Sequence, residues 1–229
     1  MTTISRTENN PGRGRKLPAL LPSEPDRNCP LCPRLASYRD SVRAREPTWF
    51  NSPVPSFGDA NAALLIVGLA PGVQGANRTG RPFTGDFAGD LLYATLLEFG
   101  YARGRYGRAA DDGLELVDCR ITNGVRCVPP ENKPVGSEIK SCRPFLAGEI
   151  AAMPNLRVIL SLGLVSHNTV LAALGERVSA WKFAHGALHA LPGGPILADS
   201  YHCSRYNTNT GRLTEAMFRD VFAGIRRIA

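Results

Sequence analysis

Residues 68–89, GLAPGVQGANRTGRPFTGDFAG, constrain this chain more than any other stretch. They follow the apolar run Ala62-Ala63-Leu64-Leu65-Ile66-Val67 and precede the amphipathic run 90–99. The order is therefore strand, long glycine-rich loop, helix. Glycines together with Pro71 and Pro82 make such a loop a stiff cradle. Backbone amides can approach a ligand there, and the helix N-terminus beyond favours anions. The loop carries a carboxylate (Asp86), an aromatic face (Phe83), Asn77 and two cations, Arg78 and Arg81. Its spacing fits neither the Walker loop nor the GxGxxG dinucleotide turn. A plain βα connection, the structural alternative, seldom needs so many residues.

The remaining periodicity extends the pattern. Strands are expected at 62–68, 114–122, 157–162 and 196–200, and helices at 33–45, 90–99, 141–153 and 163–174. A last helix starts at Thr214 as N-cap and turns Met217, Phe218, Val221, Phe222 and Ile225 inward. Residues 48–59 read as a proline-rich surface linker, 101–113 as a charged excursion and 181–191 as an uncertain short hairpin. Strands alternating with helices predict a three-layer α/β/α sandwich around a four-stranded, mainly parallel sheet. Ligands bind such sheets at the carboxyl ends of strands, where the cradle, Asn123 and His202 all fall.

A chain of 229 residues with 43% hydrophobic content can bury one substantial core. One domain is expected over 23–229, preceded by a basic flexible arm at 1–22. The net charge of +7 suggests a polyanionic partner, with nucleic acid ahead of membrane. Part of that charge lies in the arm, where Arg6, Arg13, Arg15 and Lys16 stand against Glu8. No apolar run approaches the roughly 18 residues of a membrane span, and no hydrophobic signal core opens the chain. The expected compartment is the cytoplasm.

There, six cysteines point to metal rather than disulfides. Cys29 and Cys32 form a CxxC pair, and Cys127 and Cys142 follow as distant singles. Zinc sites usually repeat the close pair or end in paired histidines. One pair plus two singles, each near proline, suits a structural [4Fe–4S] cluster better, with zinc left open. Cys119 reads as a small core residue, and Cys203, beside His202, as a candidate nucleophile of low rank. Arg34, Arg39, Arg43 and Arg45 crowd the first helix, as a solvated or phosphate-facing set. His167, His185 and His189 lack supporting neighbours and read as structural.

Taken together, GLAPG, NRTGRPFTGD and Gly89, then ITNGVRCVPPENKP at 121–134, the HxS…N…TGRLT segment at 202–214 and the four cysteines resemble the uracil-DNA glycosylase superfamily. The likeness is to its family-5 (type b) iron–sulfur members, and it spans roughly residues 28–228 in the expected order. His202-Cys203-Ser204 departs from the family's HPS, and Gln74 stands where a histidine is common.

The resemblance implies a monofunctional enzyme of base excision repair. It would flip uracil, and other deaminated bases such as hypoxanthine, out of DNA and hydrolyse the N-glycosidic bond. Asp86 would orient or activate water, Asn123 would read the uracil edge, and His202 would hydrogen-bond the leaving base. Phe83 would stack on the base, within a pocket shared by Gly68, Ala70, Gly72 and Asn77. Arg78, Ser204 and Arg205 would hold phosphate, and Tyr206 would enter the duplex gap. No lysine is placed for Schiff-base chemistry: Lys133 and Lys140 lie in the cysteine loop and Lys182 in the hairpin. Uracil-containing DNA is the expected partner, no membrane is involved, and a monomer suffices. A non-catalytic iron–sulfur damage-binding module and a covalent uracil-DNA trap are the alternatives. The trap would need a basic insertion after FTGD, which the sequence does not show.

Overall fold

The computed structural model describes residues 24–228, so the 1–22 arm lies outside the described residues. In chain order the elements are α1 (Pro33–Arg45), β1 (Leu64–Gly68), α2 (Ala76–Thr79), α3 (Phe87–Glu98), β2 (Ala102–Arg103), β3 (Glu115–Leu116) and β4 (Cys119–Asn123). There follow α4 (Gly136–Ala151), β5 (Val158–Leu162), α5 (Leu164–Ala173), β6 (Leu188–Ala190), β7 (Ile196–Ser200), α6 (Arg205–Asn209) and α7 (Glu215–Arg226).

The central sheet runs β4-β1-β5-β7-β6, with every pairing parallel except β6–β7. The α/β/α class holds, but the sheet has five strands rather than four. The extra edge strand comes from the uncertain 181–191 hairpin, whose period-two signal covers only three residues. Strand β1 is buried on both faces and its side chains alternate between two cores. Leu64 and Ile66 face α3 and α7, while Leu65 and Val67 face α4 and α5. This two-sided cover is why the sequence shows a continuous apolar run instead of alternation.

Other boundaries shifted for local reasons. The strand expected at 114–122 breaks at Asp118, which adopts φ +48° and accepts a hydrogen bond from Ala63 N through Oδ1 at 2.7 Å. Its first part pairs with β2, so the 101–113 excursion contains structure. Helix α4 starts five residues earlier than expected and carries Pro144 within it. Glu138 Oε2 accepts from Val135 N at its start, satisfying an end amide. Residues 48–59 are not a surface linker throughout, since Asn51, Ser52 and Val54 are buried and Phe57 bridges to Ile121. Thr214 does cap α7, accepting from Met217 N at 3.1 Å. Among the described residues no helix is long and apolar enough to cross a membrane.

Candidate active site

A cavity of about 460 Å³ opens beyond the carboxyl ends of the central strands. Residues 69–76 of the cradle form one wall, and Phe83, Asp86, Phe87 and Ala88 another. Asn123 closes β4, and His202, Ser204 and Arg205 enter from the segment after β7. The register pairs Gly68 with Asn123, so the cradle and the asparagine leave adjacent strands side by side.

Each polar group has an identifiable environment. Asp86 caps α3, with Oδ1 accepting from Gly89 N at 3.2 Å. Its Oδ2 lies on the other side, against Gly75 and Gly72, where an added Cβ would stand 2.4 and 3.3 Å away. Helix cap and cavity-facing carboxylate are thus served by different oxygens of one side chain. Burial raises the Asp86 pKa above the usual carboxylate value, assisted by the charge of Asp90 and opposed by the bonds from Gly89 and Ala88. Burial also depresses His202, to about 4, so its imidazole is neutral at ordinary pH. The His202 carbonyl accepts from Asn207 Nδ2 at 2.8 Å, and Ser204 caps α6, fixing the loop that presents the ring. Phe83 and His202 stack, with ring centroids 5.9 Å apart.

The structure brings Asp86, Asn123, His202, Phe83, Ala70, Gly72, Ser204 and Arg205 to the cavity. Gly68 does not line it. A Cβ there would meet Asn123 Oδ1 at 2.4 Å and Phe83 Cζ at 2.6 Å, so glycine lets those two side chains approach. Asn77 is fully buried behind the cradle and donates to Asn51 Oδ1 at 2.9 Å. It holds chain to chain, and its expected place among the base-binding residues is not where the fold puts it. Arg78 is exposed but bonds back to the Gln74 carbonyl. Arg81, one of the two cradle cations, points away from the cavity into a buried pair with Asp112. Tyr206 projects outward on α6, 72% exposed. Asn132 and Phe87 line the cavity without having been singled out. The φ of +57° at Asn132, between Pro130 and Pro134, could not be read locally. Helix α3 begins at residue 87, directly after FTGD and three residues before the expected start at 90, because Asp86 caps it.

Cys203 is fully buried in the main core, and burial pushes its thiol up to about 12, with the charge of Asp86 adding to the rise. A neutral, enclosed thiol is a packing residue, so the Cys203 nucleophile is set aside.

A second small cavity, beneath α1 and α4, is lined by Cys29, Cys32, Cys127 and Cys142 together. Burial raises the thiols of Cys127 and Cys142 to about 12 and about 11. Donors nevertheless point at the sulfurs: Arg39 Nη1 at 3.6 Å from Cys127 Sγ, and Arg126 N at 3.3 Å from Cys142 Sγ. Four cysteines lining one cavity, with an amide N–H and a buried guanidinium on two of the sulfurs, fit thiolates that share a metal group. Arg39 therefore belongs to neither expected arginine face. Of its neighbours, Arg34 forks onto Glu138, and Arg43 bonds Asn51 O at 2.7 Å.

The histidines thought to lack partners do not all lack them. His167 Nδ1 and His189 Nε2 meet the two oxygens of Asp199 at 2.8 and 2.9 Å. Ser161 Oγ donates to the same carboxylate at 2.7 Å. This buried network lies on β5, α5, β6 and β7, under the strand end that leads to His202.

Comparison with known proteins identifies a family. The family model described as "Uracil DNA glycosylase superfamily" matches residues 55–226. The chain is 46% identical over 207 residues to the type-5 uracil-DNA glycosylase of Thermus thermophilus, covering 88% of this chain and 94% of that protein. It is 40% identical to the type-5 uracil-DNA glycosylase of Pyrobaculum aerophilum, covering 88% of each. With the type-5 uracil-DNA glycosylase of Mycobacterium leprae it shares 42% identity, over 88% of this chain and 91% of that one. The parallel sheet, the cavity at its carboxyl edge and these similarities lead to one assignment: the chain belongs to the uracil-DNA glycosylase superfamily, with the type-5 enzymes.

Proposed function

We propose that this protein is a monofunctional DNA glycosylase that removes uracil from DNA by hydrolysis. The observation that carries the reading is the convergence of Asp86, Asn123, Phe83 and His202 on one cavity at the carboxyl edge of the sheet. The base must leave the stack to reach that cavity, since Phe83 and Asn123 are buried in it. Phe83 offers an apolar face, and the Asn123 amide can both donate to and accept from the uracil edge. As the glycosidic bond lengthens, negative charge grows on the base and positive charge on the sugar. His202, held neutral by burial, donates a hydrogen bond to the base carbonyl and stabilises the leaving anion without first losing a proton. Asp86, when ionised, orients a water on the opposite face and stabilises the sugar cation. Water adds to C1′, its proton passes to the carboxylate or to solvent, and an abasic site and free base remain. Among the described residues no lysine lines the cavity, which supports hydrolysis without a Schiff base.

Ser204, Arg205 and Arg78 provide the phosphate contacts, and Tyr206 fills the space the base vacates. Arg205 also lies over the Phe87 ring at 5.3 Å, which aims it along the cavity mouth. A cavity of this volume is within the usual range of small-molecule sites and admits a bicyclic base, so hypoxanthine is a further substrate. Cys29, Cys32, Cys127 and Cys142 hold a [4Fe–4S] cluster whose contribution is to tie α1, the 124–135 loop and α4 together. The enzyme works as a monomer on cytoplasmic DNA.

The test is release of uracil from a uracil-containing duplex, with Asp86→Ala alongside. Release that leaves an alkali-labile site and is lost in the variant upholds the reading. Binding of the duplex with no release by the wild type overturns it.

A further inference from the structure

The turn 82–86 separates the base-stacking Phe83 from the water-side Asp86, and its backbone is not relaxed. Phe83 has φ +53°, in the left-handed region that a bulky side chain rarely occupies. Something must hold it there. Three groups do so, and all lead to the 104–113 excursion.

Arg81 is the first. Its guanidinium makes two 2.8 Å bonds to the Asp112 carboxylate, with both side chains about 5% exposed or less. Arg81 Nε donates to Thr84 Oγ1 at 2.7 Å, within the turn. Tyr93 is the second, donating to the Pro82 carbonyl at 2.7 Å. Tyr106 is the third. Its hydroxyl donates to the Phe83 carbonyl at 3.3 Å and accepts from Gly85 N at 3.4 Å, so it bridges the strained residue. The Tyr106 ring stacks on Tyr93 at 4.5 Å, and both rings lie within 6 Å of the Arg81 guanidinium carbon. Asp112 also accepts from Gly107 N and Leu114 N, so the same carboxylate folds the excursion and anchors the turn. At Gly89 a Cβ would lie 1.7 Å from the Phe83 carbonyl oxygen and 2.6 Å from the Tyr106 hydroxyl, which leaves glycine as the residue that fits. Outside, Arg108 forks onto Asp90 in the first turn of α3.

We propose that the 104–113 segment is a brace for the catalytic turn, in which Asp112, acting through Arg81, and Tyr106 are positioning residues for Phe83 and Asp86. The catalytic part of this rests on the glycosylase reading above; the mechanical part does not. The excursion, which the sequence shows only as charged and poor in apolar residues, has this as its purpose. Displacing a stacking ring or a water-orienting carboxylate by an ångström suffices to slow such chemistry by about a hundredfold. The brace touches neither base nor phosphate, so it acts on the chemical step and leaves DNA affinity unchanged.

The test uses the full chain with two variants. Tyr106→Phe removes only the hydroxyl and keeps the ring packed on Tyr93 and Arg81. Asp112→Asn removes the charge that holds Arg81. The measurements are kcat and KM on a uracil duplex and hydrogen exchange at the amides of residues 83–89. Tyr106→Phe is expected to lower kcat by about 10-fold and Asp112→Asn by about 10- to 100-fold, each with KM changed less than about threefold. Exchange should rise at 83–89 and stay as in wild type on β1, β4 and β5. Wild-type kcat with wild-type exchange in Tyr106→Phe overturns the proposal, as does a rise in KM alone. Faster exchange over the whole sheet in both variants also overturns it, because that marks general destabilisation. If the wild type releases no uracil, the glycosylase reading fails, and the exchange data on the same variants still decide the brace.

Discussion

The ring of Phe83 lies over the imidazole of His202, with centroids 5.9 Å apart and planes inclined by 30°. The two residues come from the loops after β1 and after β7, so this contact joins opposite walls of the cavity. In the function proposed above, a base stacked on Phe83 would lie within reach of His202, coupling recognition to leaving-group stabilisation.

His202 is expected to act as a neutral donor throughout the working pH range, because burial holds its pKa at about 4. The single-turnover rate should show no loss between pH 6 and 7 of the kind a titrating catalytic histidine produces. His202→Ala should lower that rate by about 10²–10³, the scale for loss of one donor to a developing anion. A histidine-like step near pH 6.5 in wild type, absent from the variant, would contradict the neutral role.

Asp86→Asn separates chemistry from stability. Asparagine still caps α3, but it cannot orient or activate water, so uracil release should fall by about 10²–10⁴. The folded pKa of Asp86 lies above its unfolded value because burial disfavours the carboxylate. The native state then binds more protons than the unfolded state between the two pKa values, and stability falls as pH rises through that window. Removing the ionisable group should raise Tm at pH 8 relative to wild type. A lower Tm in a well-folded Asp86→Asn protein would show that the carboxylate is not strained by burial.

His167 provides the complementary pH dependence. Its Nε2 faces the Trp181 carbonyl and its Nδ1 faces Asp199, both acceptors, so the ring carries two protons. Burial alone would lower its pKa, but the Asp199 hydrogen bond, the Trp181 carbonyl and the Asp199 charge together raise it. A raised histidine pKa stabilises the fold fully below about 6.5, the unfolded value, and the contribution fades as pH climbs through the folded value. The Tm difference between wild type and His167→Gln should thus narrow as pH rises above about 6.5. A constant difference would assign the effect to packing.

Glu149 bridges Arg126 at 2.5 Å and Arg120 at 2.6 Å, with its side chain only 2% exposed. Truncating one member of such a buried network leaves uncompensated charge and costs about 3–5 kcal/mol. Glu149→Ala should show this in urea unfolding, with catalysis of the folded fraction retained.

Removal of the proposed [4Fe–4S] cluster is expected to act on stability first. Cys127→Ser should lose visible absorption and bound iron and lower Tm, whereas Cys203→Ala should keep its iron content and turnover. Iron retained at wild-type level in Cys127→Ser would exclude that sulfur as a ligand.

Much of the candidate site was legible before folding was considered. Strand–loop–helix order follows from hydrophobic periodicity, and the cap at Thr214, the helix at 33–45 and the strand at 196–200 followed from local rules. The residues that converge on the cavity were also visible, because each follows a strand and parallel strands present their carboxyl ends at one edge. The edge strand at 188–190 and the split at Asp118 were not, since three-residue pairings leave almost no periodic signal.

What the sequence by itself determined, then, is the layered α/β/α plan, the chemical groups at the strand ends and the identity of the four cysteines that come to line one cavity. These depend on the order of residues along the chain and on chemistry each carries alone. Only the tertiary structure decided that Arg81 turns inward to Asp112, that Asn77 donates to the Asn51 side chain rather than entering the cavity, and that Asp199 gathers His167 and His189. A charged or polar side chain finds its role from the partner that packing brings to it. That partner lies tens of residues away, at a distance no local rule reports.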